Sequence, residues 1–511
     1  MVYICDGIEG AAAHVMAEIV DVLFIHPGDR LQAYQNLGDE FCAIEPPVFA
    51  GLFATYARKK GLSTAIIDAP AYQMSAQQIA DKVVTEYVPA LVVLVVYGNQ
   101  PSASTQNMSP AGKVAALIKK ANSEIKIMMT GTHPSALPER TMREEAIDFV
   151  CEGEGPATIV KTAAALKDKA AEFGGVPSLW WRQEELIHPP EVKEELIKDL
   201  DEEMPGIAWD LLPMDRYRAH NWHAFDHFDD RSYAAIHTSL GCPYACSFCC
   251  INAPFGKPNY RMWSAETVVA EIDLLVQEYG VKNIKFVDEM FVLNKRHVLA
   301  ICDLLIEREY SVNIWAYARV DTVKEEYLAK LKAAGFNWLC LGIESASAHV
   351  RDGADKRYTN DDIISVVRKI QDAGIYVLGN YIFGLPDDDM TTMAATLDLA
   401  MEINCEFSNF YSAMAYPGSP LYATALAEGA ELPQEWHQFS QHAFDSLPLA
   451  NAHCTSREIL AYRDAAWNTF FTSPGYLELV REKFGEDVAN HVRRMTQIPL
   501  ARKLASQGAA A

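Results

Sequence analysis

The sequence predicts a multidomain α/β protein in which a doubly wound, Rossmann-like domain precedes a partial (β/α)6 barrel of the TIM type and a helical C-terminal extension. Three observations predict this class. The 511 residues exceed what one ordinary core accommodates, short β-rich runs alternate with helical patterns, and the alternation stops and then restarts along the chain. We place the domains at 1–170, 232–430 and 431–511, with a linker at 171–231.

Short runs with high β propensity predict the strands of the first domain, at 22–27, 63–69, 90–98, 125–131 and 148–155. The third run, ALVVLVVYG, is nearly all Val and Leu, which is typical of a central parallel strand buried on both faces. Residues 47–61 are apolar at helical spacing, and Gly61 ends the predicted helix. Strands that alternate with helices predict an open sheet whose ligands bind beyond the carboxyl ends of its strands.

The linker joins a hairpin-like pattern, SLWWRQEELIHPP, to a charged and Pro-punctuated passage. From residue 232 the alternation restarts with a longer period. We predict strands at 232–239, 283–289, 312–321, 338–345, 376–384 and 407–416. Ser264 is a candidate N-cap for the first barrel helix, and Gly280 is its candidate end. Successive β/α units predict a parallel barrel with its chemistry at the carboxyl ends of the strands.

Composition limits the location and the partners. The formal net charge of −24 disfavours nucleic acid, because a surface that binds phosphates is basic. No apolar run approaches the roughly 20 residues that span a bilayer, and the first residues lack the basic start of an export signal. We therefore expect a cytoplasmic protein with reduced thiols and no membrane span, acting on a small molecule.

The most informative motif is GCPYACSFCC at 241–250, which holds four of the eleven cysteines of the chain. Cys242, Cys246 and Cys249 form C-x3-C-x2-C directly after the first barrel strand. Three thiolates on one loop can hold three irons of a 4Fe-4S cluster and leave the fourth iron open. Free cysteines or an incomplete zinc site are the alternatives. Cys250 adjoins Cys249, and because adjacent side chains diverge we assign it a packing role.

This loop resembles the C-x3-C-x-aromatic-C motif of the radical S-adenosylmethionine superfamily, with Phe248 as the aromatic. The resemblance implies that Cys242, Cys246 and Cys249 are catalytic and hold the cluster. It also implies that the open iron chelates S-adenosylmethionine, that Phe248 lies beside the adenine, and that reductive cleavage gives a 5′-deoxyadenosyl radical that removes hydrogen from substrate. A reductant such as flavodoxin or ferredoxin would be the electron donor.

Acidic residues in the barrel resemble cofactor-binding positions of the superfamily. Asp288 and Glu289 end the second strand, where relatives place groups near the methionine amine of the cofactor. Glu344, in GIESAS, resembles the carboxylate that binds the ribose hydroxyls, since a carboxylate accepts both hydroxyl protons.

Basic residues and glycines complete this predicted set. Arg319 and Lys356 are candidates for pairing with the cofactor carboxylate, and ordinary solvated cations are the alternative. The run GNYIFGLPDDD resembles the fifth-strand signature of the superfamily, in which Gly379 and Gly384 would let the backbone approach the adenine.

An open α/β domain in front of such a barrel resembles the cobalamin-binding class of the superfamily. TGTHPSALPE and DFVCEGEGPATI resemble the loops at the lower corrin face, which makes Thr132, His133, Gly153 and Glu154 candidate contacts. The D-x-H-x-x-G motif of other cobalamin proteins does not occur, since neither His26 nor His133 has its flanking residues. We therefore expect base-off cobalamin, as methylcobalamin, without a histidine ligand. The alternative is a domain that has lost the cofactor and only docks.

Two further groups of side chains are open to a functional or a packing interpretation. RAHNWHAFDHFDD offers a possible second metal site, although its aromatic content favours packing and lid roles; its residues are His220, His223, Asp226, His227, Asp229 and Asp230. Tyr411, at the end of the sixth strand, is a candidate substrate contact, and a barrel-core role is the commoner one.

These observations favour an enzyme that uses a cluster, S-adenosylmethionine and cobalamin to methylate an unactivated carbon. A radical cyclisation or rearrangement without methyl transfer, as in porphyrin E-ring cyclases, is the alternative. A transfer RNA methylthiotransferase is disfavoured by the acidic chain and by the wide spacing of Cys5, Cys42 and Cys151. A non-enzymatic cobalamin sensor is disfavoured by the three-cysteine loop, because a sensor has no use for an open iron.

Overall fold

The structure is a computed structural model that describes residues 17–168, 172–227, 230–354, 356 and 358–506. The strands of the first domain are β1 (Glu18–His26), β2 (Thr64–Asp68), β3 (Tyr87–Val95), β4 (Ile127–Thr130), β5 (Phe149–Cys151), β6 (Leu179–Gln183) and β7 (Leu186–His188). Its helices are α1 (Arg30–Tyr34), α2 (Leu37–Glu40), α3 (Val48–Lys59), α4 (Ala69–Tyr72), α5 (Ala76–Glu86), α6 (Ala103–Ala121), α7 (Thr132–Ala136), α8 (Pro138–Glu144) and α9 (Pro156–Lys167).

The first sheet runs in the order β2-β1-β3-β4-β5-β6-β7, and β1 to β5 are parallel. The predicted doubly wound domain is confirmed. Side chains of β3 alternate between two apolar cores, with Leu91 and Val93 in one and Val92 and Leu94 in the other. The hairpin that we expected within the linker, β6–β7, instead extends this sheet, because β6 pairs antiparallel with β5.

The linker contains α10 (Leu200–Glu203) and short 3-10 turns at Trp209–Leu211, Met214–Arg216 and Trp222–His227. The barrel strands are β8 (Tyr233–Ile236), β9 (Ser239–Leu240), β10 (Arg261–Met262), β11 (Asn283–Phe286), β12 (Asn313–Ala318), β13 (Phe336–Glu344), β14 (Tyr376–Phe383) and β15 (Phe407–Ser412). The barrel helices are α11 (Ala265–Tyr279), α12 (Lys295–Arg308), α13 (Glu325–Ala333), α14 (Ala348–Gly353), α15 (Asn360–Asp372), α16 (Met390–Ile403) and α17 (Pro420–Glu428).

The second sheet is parallel and has the order β15-β14-β13-β12-β11-β8, so its strands follow chain order across an open barrel. The predicted partial barrel is confirmed. Ser264 caps α11 by accepting a hydrogen bond from the Thr267 amide, and Gly280 ends it with a left-handed φ of 64°. The sequence did not predict the short antiparallel pair β9–β10, which closes the base of the cysteine loop.

The C-terminal extension is helical, with a 3-10 turn at Trp436–Phe439 followed by α18 (Ser456–Thr472), α19 (Pro474–Phe484), α20 (Glu486–Thr496) and α21 (Lys503–Ser506). Trp436 packs into the core of the first domain, whereas Phe470 packs into the barrel core. The Ser440 hydroxyl also donates a 2.7 Å hydrogen bond to the Ala33 carbonyl. The tail therefore joins the two sheets. Within the described residues, no helix combines the length and apolar character that crossing a bilayer requires.

Candidate active site

A cavity of about 670 Å³ lies between the two sheets and the tail. We call the part lined by Cys242, Cys246 and Cys249 the cysteine wall, and the part lined by Arg463 and Trp467 the tail wall. The floor comes from barrel strands, and the first domain closes the cavity with the segments that follow β1 and β3. Residues of each origin include Tyr34, Glu45, Asn99, Gln100, Lys285, Tyr317, Cys340, Asn380, Tyr411, His442 and Asn468.

A smaller cavity of about 120 Å³ adjoins the first one at the carboxyl ends of β1 and β3. These strands are neighbours in the sheet but are separated by β2 in the chain, so the cavity lies at the topological switch point, where open α/β sheets bind ligands. Asn99, Gln106 and Asn107 line it with neutral amides. These amides fit a corrin, because they can exchange hydrogen bonds with the amide side chains that surround its ring.

The three predicted cluster ligands line the same cavity. Within the described residues, no group of three or more His, Cys, Asp or Glu side chains converges tightly enough to hold a single ion. Three thiols that lie on one loop and line one cavity fit a 4Fe-4S cluster, in which each thiolate holds a different iron. The donor set therefore fits the cluster, with Cys242, Cys246 and Cys249 as the residues that would hold it.

Burial shapes the properties of these thiols. It raises the pKa of Cys242 to about 12, and it raises the pKa of Cys249 well above the ordinary value. A thiol that is neutral by itself becomes a thiolate on coordination, because the positive charge of the metal lowers the pKa that burial raises. Cys250 is buried and also lines the cavity. Phe248 lines the cavity and packs against an apolar cluster that includes Leu385.

Arg319 joins the cysteine loop to the end of β12. Its guanidinium donates to both oxygens of Asp321, at 3.0 and 3.1 Å, and lies 4.1 Å from the ring centre of Tyr244. Its Nη1 is 3.9 Å from the sulfur of Cys246. The predicted cation therefore lies at the cysteine wall, held by a carboxylate and an aromatic ring that no sequence pattern marks.

Glu344 and Lys356 contact each other through Glu344 Oε1 and Lys356 Nζ, and both line the cavity. Lys356 also donates a 3.0 Å hydrogen bond to the Gly342 carbonyl. A Cβ at Gly342 would lie 2.5 Å from Lys356 Nζ, so a larger residue there would displace the end of the lysine side chain. Glu344 has a φ of 66°, a strained conformation for a non-glycine residue that is frequent at functional sites.

Asp288 and Glu289 are adjacent but have different surroundings. Asp288 is buried and accepts hydrogen bonds from the Thr238 amide at 2.9 Å and the Thr238 hydroxyl at 2.8 Å. It also contacts the Ser239 hydroxyl, so it holds the backbone that leads into the cysteine loop. Glu289 lines the cavity, and burial raises its pKa to about 8.

Gly379, in β14, and Gly384, in the turn after it, do not line the cavity. A Cβ at Gly379 would lie 2.9 Å from the ring of Tyr381. Gly384 has a φ of 83°, and its added Cβ would lie 2.6 Å from Ile459 of α18. The structure therefore gives both glycines a packing reason, and their contact with adenine stays a prediction.

The four residues predicted to surround cobalamin line neither cavity. Thr132 and His133 are buried; His133 Nδ1 lies 3.2 Å from the Thr105 hydroxyl, and its ring packs edge-on against Trp436. Burial lowers the pKa of His133 to about 3.

Glu154 instead pairs with Arg261 of β10, with 2.7 Å between Oε1 and Nη2, so it ties the base of the cysteine loop to the first domain. The Gly153 carbonyl accepts a 3.3 Å hydrogen bond from Ser135. Contacts of these residues with cobalamin stay predictions.

The histidine-rich linker segment packs against the barrel. The ring of His223 is buried, and its Nε2 lies 3.0 Å from the Asn313 carbonyl oxygen. His220 lines the cavity and stacks on Trp222. Asp226 accepts a hydrogen bond from Tyr376, and Asp230 pairs with Lys282. The side chain of His227, and Asp229, lie outside the described residues.

Two contacts across the cavity floor were not found from the sequence. Glu45, after α2, lies 2.9 Å from Lys285 of β11 and accepts a 2.8 Å hydrogen bond from Tyr233. Burial alone would raise the pKa of Glu45, but the Lys285 ammonium and its neighbours lower it to about 2. Gln100 donates a 2.6 Å hydrogen bond to Tyr317. No local signal marks these pairs, because their partners are distant in the chain.

Comparisons with known families divide the chain as the two sheets do. Residues 38–163 match the B12 binding domain family, and residues 236–400 match the radical SAM superfamily. The first match contains β2 to β5, and the second contains the cysteine loop and most of the barrel strands.

Individual proteins resemble the chain over both domains. An uncharacterised methyltransferase of Pyrococcus horikoshii is 31% identical over 84% of this chain and 89% of its own length. The anaerobic magnesium-protoporphyrin IX monomethyl ester cyclase of Rubrivivax gelatinosus is 26% identical over 78% of this chain and 69% of its own.

Among solved structures, the radical S-adenosylmethionine methyltransferase TsrM of Kitasatospora setae has the same fold, with a TM-score of 0.65 at 16% identity over 90% of each chain. The match to the methyltransferase, together with the family matches on the two sheets, shows that the chain belongs to the cobalamin-binding radical S-adenosylmethionine enzymes, which use a 4Fe-4S cluster, S-adenosylmethionine and cobalamin.

Proposed function

We propose that the enzyme transfers a methyl group to an unactivated carbon of a small molecule. The observation that supports this is the lining of one cavity by the three cysteines, by the Arg319 and Lys356 ion pairs and by the first domain. When bound, the cluster, S-adenosylmethionine and cobalamin would supply a radical that removes hydrogen from the substrate and a methyl group that replaces it. Several relatives are named as methyltransferases, which favours this outcome.

The residues of the chain would hold the reactants and exclude water. Asp288 fixes the backbone entering the cysteine loop through its bonds to Thr238. Arg319 and the Glu344–Lys356 pair offer charged groups to the zwitterionic and ribose parts of S-adenosylmethionine. The tail and the first domain cover the barrel, so that a reactive carbon is kept apart from bulk water and close to its partner.

We propose base-off cobalamin, loaded as methylcobalamin, without a histidine ligand. His133 lines neither cavity, and the D-x-H-x-x-G motif of histidine-ligated cobalamin proteins does not occur in the chain. A low-potential reductant of the flavodoxin or ferredoxin class would supply the electrons.

Anaerobic reconstitution with iron, sulfide and cobalamin tests the proposal. The holoenzyme is given S-adenosylmethionine, a reductant and candidate substrates, and nucleoside products are measured by liquid chromatography and mass spectrometry. We expect 5′-deoxyadenosine together with S-adenosylhomocysteine. Failure of the purified protein to retain cobalamin would contradict the assignment of the first domain.

A second candidate is radical cyclisation without methyl transfer, because magnesium-protoporphyrin IX monomethyl ester cyclases are also relatives. The same experiment separates the two reactions. Substrate-dependent 5′-deoxyadenosine without S-adenosylhomocysteine would favour cyclisation or rearrangement.

A further inference from the structure

The charges around the large cavity are balanced at most positions. Lys285 pairs with Glu45, Arg319 with Asp321, and Lys356 with Glu344; each pair joins one cation to one carboxylate. A surplus of positive charge occurs at the tail wall, where Arg463 and Arg502 share Asp464.

Asp464 is fully engaged by the two guanidinium groups. Arg502 donates to both of its oxygens, at 2.8 and 2.9 Å, and Arg463 Nη1 donates to Oδ1 at 2.9 Å. Arg463 also donates to the Phe410 carbonyl at 2.7 Å. Both arginines are buried, with 4% and 8% of their surfaces exposed. Within the described residues, no second carboxylate contacts either arginine.

The neighbouring histidine does not balance this charge. His442 Nε2 lies 3.2 Å from Arg463 Nη2 and accepts from it, so the imidazole is neutral. Burial and the two guanidinium groups hold the pKa of His442 well below its ordinary value. The group therefore carries a net charge of about +1 beside the cavity. An uncompensated buried charge is strongly destabilising unless an anion pairs with it.

We propose that the tail wall binds an anionic group of the substrate, a carboxylate or a phosphate-type oxyanion, and that Arg463 holds it. This inference rests on the proposed function, in which the cavity holds the substrate. Arg463 lines the cavity and retains N–H donors beyond those used by Phe410, Asp464 and His442. Trp467 and Tyr411 line the cavity too, which suits an apolar or aromatic body attached to the anionic group.

Binding of small probes to the cobalamin-loaded, cluster-containing holoenzyme tests this inference. Benzoate, phenylphosphonate and the uncharged benzamide are titrated and followed by calorimetry. We expect an anion to bind roughly 10- to 100-fold more tightly than benzamide, which is the range for a hydrogen bond to a charged group. Preference for benzoate assigns a carboxylate, and preference for phenylphosphonate assigns a phosphate-type group.

Substitutions test whether the preference for anions over benzamide depends on Arg463. Arg463→Gln should abolish this preference, and Arg463→Lys should retain part of it. Arg481→Gln is the matched control, because Arg481 is an exposed residue of α19 that pairs with Glu478. If Arg463→Gln does not fold, Asp464→Asn provides the second test, since removal of the competing carboxylate should strengthen anion binding.

The inference is overturned if benzamide binds as tightly as the anions, if the preference survives in Arg463→Gln, or if Asp464→Asn weakens it. Release of cobalamin by the anions, seen in its visible spectrum, would also overturn it, because the site would then belong to the phosphate of the cofactor. Formation of 5′-deoxyadenosine is measured in the same samples. Its loss with the anion preference intact would count against the proposed function and not against this site.

Discussion

The cysteine wall and the tail wall of the cavity differ in the balance between their positive and negative side chains. At the cysteine wall, Arg319 and Lys356 each have their own carboxylate. At the tail wall, two arginines share one. A wall with balanced charge suits a ligand that brings both signs of charge, as S-adenosylmethionine does, whereas a wall with surplus positive charge suits an anion. The difference supports the proposal that the two walls bind different molecules.

Removal of a cluster ligand should produce the largest effect, and this effect should be confined to the cysteine wall. We expect Cys246→Ala to lose cluster iron and all reductive cleavage of S-adenosylmethionine, because the remaining thiols cannot hold the cluster in place. Iron analysis and 5′-deoxyadenosine formation measure this. Cys250→Ala is the control and should keep both. Full activity in Cys246→Ala would disprove the ligand assignment.

The Glu45–Lys285 pair lies between the walls and fastens the first domain to the barrel. Glu45→Gln should lower the free energy of unfolding by about 3–5 kcal/mol, because it leaves a buried lysine without its partner. Urea titration measures the loss, and Glu45→Met combined with Lys285→Met should recover much of it. An unchanged free energy of unfolding in Glu45→Gln would show that the pair does not fasten the domains.

The same pair predicts a dependence on pH. The pKa of Glu45 falls from 4.5 to about 2 on folding, so its contribution is fully present above pH 4.5 and is lost as the pH falls toward 2. Acid titration of the wild type, compared with the double methionine variant, should show this extra loss of stability only in the wild type.

Glu344→Gln tests whether the charge balance at the cysteine wall contributes to the affinity for S-adenosylmethionine. We expect the dissociation constant for S-adenosylmethionine to rise roughly 10- to 100-fold, because a charged hydrogen-bond acceptor is lost and Lys356 is left unpaired. Equilibrium dialysis measures it. The benzoate preference of the tail wall should not change, and a parallel loss there would contradict the separation of the two walls.

The smallest expected effect concerns the neutral contact between Gln100 and Tyr317. Gln100→Leu should cost about 1 kcal/mol of stability, the value of an ordinary hydrogen bond. Thermal unfolding measures it, with Gln77→Leu as an exposed control outside the cavity. A loss as large as that of Glu45→Gln would mean that charge is not what fastens the domains.

Local patterns predicted the parts of the molecule that depend on near neighbours. The alternating runs predicted both parallel sheets, and the cysteine spacing predicted which side chains share one loop. Glu344 and Lys356 were each predicted to bind the cofactor, but no spacing in the sequence marks their mutual contact. Glu45 and Lys285, and likewise Arg502 and Asp464, meet only after distant segments pack together, so no spacing in the sequence marks them.

The position of the tail has a consequence for how such an enzyme diversifies. The tail wall comes from one continuous stretch after the barrel, whereas the cysteine wall comes from loops and strand ends of the barrel. With the proposed substrate site at the tail wall, substitutions of its cavity-facing residues would alter which molecule is accepted without changing the cysteine wall. Exchange of the cavity-facing residues of that stretch between relatives, such as Asn468, is therefore a route to new substrate ranges that leaves the packing of the tail in both cores unchanged.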